Sequence, residues 1–175
     1  LFLPCLSIAL LIKLTSKGPV LFIAYRLALT GKPFKIYKFR TMRHDPSAVS
    51  EGQSTVMNDE RIIPVGKILR KLSLDELPQL LNVLTNDMSV VGPRPHRINL
   101  NKDLQQKMSH YMMRHTIKPG ITGWAQVKGW RGPTNTKLQY WGRTLHDLWY
   151  IANWNFGLDI YIVFLTAFGR KSKKN

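Results

Sequence analysis

The sequence predicts an α+β fold: a mainly helical single domain with one small antiparallel hairpin, a re-entrant, non-spanning membrane helix at the amino end, and interfacial amphipathic helices. Three observations predict it. A run of strand-forming residues from Val20 to Met42 is broken once, at Thr30-Gly31-Lys32, the pattern of two paired strands. Most other apolar residues recur at helical spacing. Both ends of the chain are strongly apolar, yet neither run reaches the roughly 20 residues that a membrane-spanning helix needs.

A chain of 175 residues with 44% hydrophobic content is long enough for one domain with a real core. The expected organisation is a truncated membrane segment over 1–14 and one domain, interfacial helices included, over 15–175. The chain opens on Leu1 rather than Met and reads as a piece of something longer. Twenty-six Lys plus Arg against ten Asp plus Glu give a net charge of +16. Such charge demands anionic partners (nucleic acid, lipid headgroups or phosphorylated substrates) without choosing among them. The single cysteine, Cys5, excludes an internal disulfide and points to a reducing compartment, and no zinc-ligand spacing is present.

Taken in order, Leu1 to Leu14 (LFLPCLSIALLIKL) is almost wholly apolar. Pro4 removes a backbone hydrogen bond inside it, and a helix kinked there would enter and leave a bilayer by one face. A buried core helix, or the remainder of a cut spanning helix, explains these residues nearly as well. Thr15 to Pro19 is a turn. In the second strand, FKIYKFRTM, the cations Lys35, Lys38 and Arg40 stand among Phe34, Ile36, Tyr37 and Phe39, so apolar anchors present positive charge. A solvated basic edge strand is the plainer reading. Residues 44–61 are polar and read as a mobile loop. Ile62 to Leu72 is an amphipathic helix with Val65, Ile68, Leu69 and Leu72 inward and Lys67, Arg70 and Lys71 outward. Asn99 to His115 reads as one helix ending in Arg114-His115 and closed by Pro119-Gly120. Ile117 to Gly132 gathers four glycines, Trp124, Trp130 and three cations into a loop. Its tryptophans suit a stacked base or a headgroup layer, and equally a core. From Tyr140 an aromatic-rich segment leads to Leu158–Phe168 and the tail RKSKK, the profile of a helix lying on a membrane and finished by a polybasic anchor.

The chemistry is placed at Ser73 to Leu80, SLDELPQL. Ser73 and Glu76 have capping-box spacing, which sets Asp75 and Glu76 in the first turn of a helix continuing through Leu84; a start at Leu77-Pro78 also leaves them near its amino end. Free amides there favour negative charge and draw in phosphate, which suits a nucleophile beside a metal ligand. Adjacent acids at a helix start are common, and Asp59-Glu60 is a second such pair without a capping signal. What raises Asp75-Glu76 above it is the company: Arg70 and Lys71 before, and Gly92-Pro93-Arg94-Pro95-His96 after. Prolines on both sides of Arg94 stiffen the backbone, and a planar guanidinium on a stiff support suits a phosphate. A plain rigid turn is the alternative.

Over nearly its whole length the chain resembles the catalytic domain of the bacterial sugar transferases, the monotopic polyprenyl-phosphate phosphoglycosyl transferases, and in particular undecaprenyl-phosphate glucose phosphotransferases. The runs GPVLF, GKPFKIYKFRTM, SLDELPQLLNVL, DMSVVGPRPH and KPGITGWAQVKGWRG carry the resemblance, in order. It implies that Asp75 is the nucleophile, that Glu76 holds Mg2+, that Lys38, Arg70 and Arg94 contact substrate phosphates, and that Pro4 belongs to a re-entrant helix broken at a Ser-Pro pair. Leu3 stands where that Ser would be. Ala24, Tyr25 and Ala28 replace the family's Gln, Glu and Gly, and Pro133 and Asn135 its Glu and Asp, departures that bear on substrate choice.

The implied reaction moves a sugar 1-phosphate from a UDP-sugar, UDP-glucose first, to undecaprenyl phosphate through a phospho-aspartyl intermediate. It releases UMP and starts a surface polysaccharide at the cytoplasmic face of a bacterial inner membrane. The implied partners are a UDP-sugar, a polyprenyl phosphate and an anionic membrane surface; no nucleic acid is expected, and a homo-oligomer is compatible with the sequence. Two rivals stand beside this reading. A non-catalytic basic module for membranes or nucleic acid accounts for the charge and tryptophans but not the dyad. A metal-dependent phosphohydrolase uses the same dyad with water as acceptor.

Overall fold

The computed structural model describes residues 2–43, 59–132 and 136–169, in two compact units. One takes in Leu1–Ala24 and Lys35–Asn82, the other Tyr25–Phe34 and Val83–Asn175. The α+β class holds. Helices predominate among the described residues, beside two two-stranded sheets. Leu1, most of the polar loop (44–58), Pro133, Asn135 and the basic tail at Arg170, Lys171, Lys173 and Lys174 lie outside the described residues.

The first unit begins with α1 (Phe2–Thr15), which runs unbroken through Pro4. Pro4, where the sequence suggests a kink, stands in the first turn of the described helix, where a missing N–H is tolerated. Ile8 and Ile12, four residues apart and so on one face, are buried against Phe39 and Leu69. Leu3, Leu6, Leu10, Leu11 and Leu14 are exposed on the rest of α1. No helix among the described residues is long and apolar enough to cross a membrane. Past the end of α1, buried Arg40 donates to the Ser16 carbonyl at 2.8 Å and also to the Lys17 carbonyl, tying that end to the sheet.

The hairpin forms as the sequence predicts. Strands β1 (Leu21–Leu27) and β2 (Pro33–Phe39) are joined by a 3₁₀ turn at Leu29–Gly31, a connection short enough only for an antiparallel pair. Along β2, Phe34 and Ile36 are buried and Lys35 is exposed, the alternation a half-buried strand requires. Helix α2 (Pro64–Leu72) follows, with proline at its first position. Its inward face is Val65, Gly66 and Leu69, whereas Ile68 and Leu72, expected inward, are exposed. Gly66 causes this, because a Cβ there would lie 2.3 Å from the Thr41 carbonyl oxygen. Contact that close makes Gly66 the centre of the packed face, and at about 100° per residue Ile68 falls about 200° away. Helix α3 (Gln79–Leu84) starts in this unit.

In the second unit, β3 (Ser89–Val91) pairs in parallel with β4 (Gly120–Thr122), Ser89 opposite Gly120 and Val91 opposite Thr122. The single helix expected over Asn99–His115 is instead α4 (Ile98–Lys107) and a separate 3₁₀ turn, Tyr111–His115. The break at Met108, which is extended, lets Tyr111, Arg114 and His115 all turn inward. Gly120, expected to close that helix, opens β4 instead. The short helix α5 (Trp124–Val127) precedes α6 (Lys137–Ala152), which starts with a capping box of Thr136 and Gln139. Asn155 caps α7 (Phe156–Phe168). Val91, Tyr150 and Ile162 form one core cluster; Leu104, Met108 and Tyr111 form another. Trp130 packs its ring against Gly142 of α6 and so belongs to the packing of this unit. Trp124 stacks on Trp149 at 4.8 Å, with the Lys128 ammonium 4.4 Å above its ring.

Candidate active site

The dyad lies in the first unit, on a 3₁₀ turn at Leu74–Glu76. The capping box expected of Ser73 and Glu76 is absent. Ser73 has φ 62 and ψ 20, a left-handed conformation that ends α2, and its amide bonds back to the Arg70 carbonyl. A residue that closes one helix in that conformation does not take the extended geometry of an N-cap. The amides around the dyad are engaged as well: Glu76 donates to Ser73 at 3.3 Å and Leu77 to Leu74 at 3.2 Å, and Pro78 has no N–H. A side chain also brings positive charge to the acids. Lys38 Nζ lies 2.9 Å from Glu76 Oε1, with the Glu76 side chain only 7% exposed.

That pair gives the two acids different environments. Glu76 is buried and held by an ammonium from β2, while Asp75, one residue earlier, is half-buried. Arg70 stands in the last turn of α2, also half-buried. The comparison pair is held from within its own turn. Asp59 is gripped by Arg61, which donates from Nε at 2.8 Å and from Nη2 at 2.6 Å, so its carboxylate organises a local turn. Asp75 and Glu76 supply hard carboxylate oxygens, and one or two carboxylates completed by substrate phosphates is a set that magnesium takes. Among the described residues no group of three or more His, Cys, Asp or Glu side chains could hold a metal ion, so an ion at the dyad would need substrate phosphates and water for most of its ligands.

Arg94 belongs to the second unit. Its turn is held by backbone: Gly92 N–H donates to Thr122 at 2.9 Å and Gly120 N–H to Pro93 at 3.0 Å. A Cβ on Gly120 would lie 2.1 Å from the Gly92 nitrogen, so only glycine allows the two segments to pass. Beneath the turn lies a polar network with no counterpart in the sequence reading. Arg114 donates to Asp147 Oδ2 from Nε at 2.9 Å and from Nη2 at 2.6 Å, and Nη2 also reaches the Arg94 carbonyl at 2.9 Å. Arg143 holds the Trp130 carbonyl at 2.8 Å and the Gly132 carbonyl. Tyr111 donates to Asn101 Oδ1 at 2.6 Å, which leaves its oxygen to accept from His96 Nδ1 at 2.7 Å. His96 Nε2 then carries the lone pair, facing Arg143 Nη1 at 3.3 Å.

Electrostatics agree with an uncharged ring. Burial, then Arg114, Arg143 and Arg94, push the His96 pKa well below the ordinary histidine value, so the ring is neutral. His115 is lowered to about 4 by burial and by Arg114. Arg143 is lowered to about 10 by burial, then by Arg94 and Arg114. Burial pushes the Asp147 carboxyl up, against the pull of Arg114. Arg114 and Arg143 both act on the Asp147 carboxylate, and Arg94, half-buried, adds its charge to His96 and Arg143, so the region beneath the turn is net positive. The signal that marks Asp147 in the sequence is an acid inside the apolar run HDLWYI; Arg114 reads there only as a basic helix end.

Comparison with known proteins places these geometries in context. A model of the bacterial sugar transferase family matches residues 1–171. The chain is 51% identical over 161 residues to the UDP-glucose:undecaprenyl-phosphate glucose-1-phosphate transferase of Escherichia coli (strain K12), covering 92% of this chain and 34% of that protein. It is 47% identical over 165 residues to the exopolysaccharide production protein PSS of Rhizobium leguminosarum bv. phaseoli, covering 93% of this chain and 82% of that one. A UDP-N-acetylgalactosamine-undecaprenyl-phosphate N-acetylgalactosaminephosphotransferase of Aeromonas hydrophila is 42% identical over 176 residues, covering 95% and 40% respectively. The chain spans about a third of the length of the first of these relatives.

Proposed function

Because the chain belongs to the bacterial sugar transferase family, we propose that it transfers a sugar 1-phosphate from a UDP-sugar to undecaprenyl phosphate. UDP-glucose is the donor we assign first, since relatives named for it share 51% and 49% identity with this chain, against 42% for the one named for UDP-N-acetylgalactosamine. The observation that carries the mechanism is the division of labour in the dyad: Glu76 buried and paired with Lys38, Asp75 beside it and half-buried.

In the first step an Asp75 carboxylate oxygen attacks the sugar-bearing phosphorus. The bond from that phosphorus to the UMP oxygen breaks, and UMP leaves with the electron pair. In the second step an oxygen of undecaprenyl phosphate attacks the same phosphorus and returns Asp75 as a carboxylate. Two displacements replace one difficult encounter between two anionic substrates. Lys38 orients Glu76, and Arg70 offers a guanidinium to the phosphates; Arg94, on its own unit, is the further phosphate-binding candidate. Magnesium bound at Glu76 would draw charge from the diphosphate oxygens.

We assign the chain to the cytoplasmic face of the bacterial inner membrane, with α1 as a re-entrant wedge. The exposed leucines of α1 and exposed Phe156, Ile160, Phe164 and Phe168 of α7 support a lipid-facing role. The test is thin-layer assay of detergent-extracted protein with undecaprenyl phosphate and a panel of UDP-sugars. Lipid-linked glucose with equimolar UMP is expected. Free glucose 1-phosphate formed without lipid would replace the transferase with a phosphohydrolase.

A further inference from the structure

We propose that Asn82 is a positioning residue for Lys38, acting as a side-chain substitute for a missing neighbouring strand along β2; the proposal rests on the reading of Asp75 and Glu76 as the reacting dyad. β2 has β1 as its one strand partner among the described residues. Asn82 lines the opposite edge. Its Oδ1 accepts from the Tyr37 N–H at 3.2 Å and its Nδ2 donates to the Lys35 carbonyl at 2.7 Å, with the residue 0% exposed. In a strand, the carbonyl of one residue and the N–H two residues on face the same edge and form the pair that an adjacent strand would engage. A carboxamide presents one acceptor and one donor side by side and matches that pair; a carboxylate or an aliphatic side chain does not.

The position of this clamp matters because of what flanks it. Tyr37 immediately precedes Lys38, and Asn82 lies six residues beyond Glu76 on the turn and helix that also carry the dyad. One segment therefore holds both the acid and the clamp, and β2 is locked to it at the residue before the lysine. A flexible lysine stem reaches Glu76 Oε1 at 2.9 Å from a backbone that cannot slide. Asn82 touches no reactant in this scheme. It acts through Lys38.

A double-mutant cycle tests this on the full chain in detergent, with UDP-glucose and a short-chain polyprenyl phosphate as substrates. Asn82→Ala and Asn82→Asp are each measured alone and with Lys38→Met, alongside thermal melts. Turnover should fall on the order of 10-fold in the Lys38 background and by less than about 2-fold in the Lys38→Met background, the coupling expected of contacting groups. Effects that multiply across the two backgrounds would reduce Asn82 to a structural residue. Amide exchange on the unmodified protein covers variants that fail to fold or to turn over: the Tyr37 N–H should exchange slowly, and exchange at the rate of an open strand edge overturns the proposal. Asp75→Asn separates the two layers. If it keeps turnover, the dyad reading falls and this proposal with it; if it is dead while the cycle shows no coupling, only the positioning role falls.

Discussion

At the scale of single residues, the two adjacent acid pairs of the chain make opposite forecasts. Asp75→Asn is isosteric but cannot form the acyl phosphate, so turnover should drop on the order of 10⁴-fold with the melting curve unchanged. Asp59 is spent on Arg61, and Asp59→Asn should act on local stability with a far milder effect on turnover. Equal loss of turnover from both would mean that the wrong pair has been assigned. Arg94→Lys replaces a planar fork with a point charge on a flexible stem, and it should raise KM for the nucleotide sugar while leaving membrane attachment intact. Unchanged kinetics would return Gly92–Pro95 to the rank of a rigid turn. The histidines add a pH dependence. Both His96 and His115 are depressed in the folded chain, so the unfolded chain binds more protons between the two pKa values. Their stabilisation is complete above the ordinary value of 6.5 and is lost as pH falls toward about 4 for His115. Urea titrations at pH 7 and pH 5 should show it, and His115→Asn should flatten the slope.

Among elements, the joint between the Tyr111–His115 turn and α6 is the place where one substitution should do most harm. Asp147→Asn leaves the buried Arg114 guanidinium without its counter-ion, and breaking a buried pair from one side costs about 3–5 kcal/mol. Thermal unfolding checks this; a loss under about 1 kcal/mol, the range of an ordinary substitution, would show that water or Arg143 readjusts around the site. This joint also shows where sequence reasoning stops. Hairpin, α2, α3 and α7 are legible because their signals are local: turn residues, a proline at a first position, apolar spacing. The split of Asn99–His115 is not, since the residue pattern continues and only the demand to bury Arg114 against Asp147, 33 positions away, breaks the helix. Ser73 fails differently. Serine before an acidic turn suits an N-cap, but the preceding helix uses the same residue to stop.

For the whole molecule, attachment should divide into two separable parts. The exposed leucines of α1 and the apolar residues of α7 bind by area and barely respond to salt, whereas each cation near an anionic surface contributes about 1 kcal/mol that salt screens. High salt alone should therefore leave the protein on anionic vesicles, and replacing exposed Leu3, Leu6, Leu10 and Leu14 of α1 by serine, which spares the buried Ile8 and Ile12, should make the remaining binding salt-sensitive. Sedimentation with vesicles at two salt concentrations reads both, and full release of the intact chain by salt would sink the wedge. The dyad and the Arg94 turn are candidates picked out in the sequence by their unusual company; the Lys38–Glu76 pair, 38 positions apart, is visible only with the fold. The crossing of Gly92 and Gly120 has a last consequence, for descent rather than for mechanism. A Cβ at either position would strike backbone within 2.5 Å, so the platform beneath Arg94 offers selection almost no side chains to vary. Any change of specificity in a descendant of this chain is therefore expected to fall on residues beyond this crossing, which should itself resist every substitution that adds a Cβ.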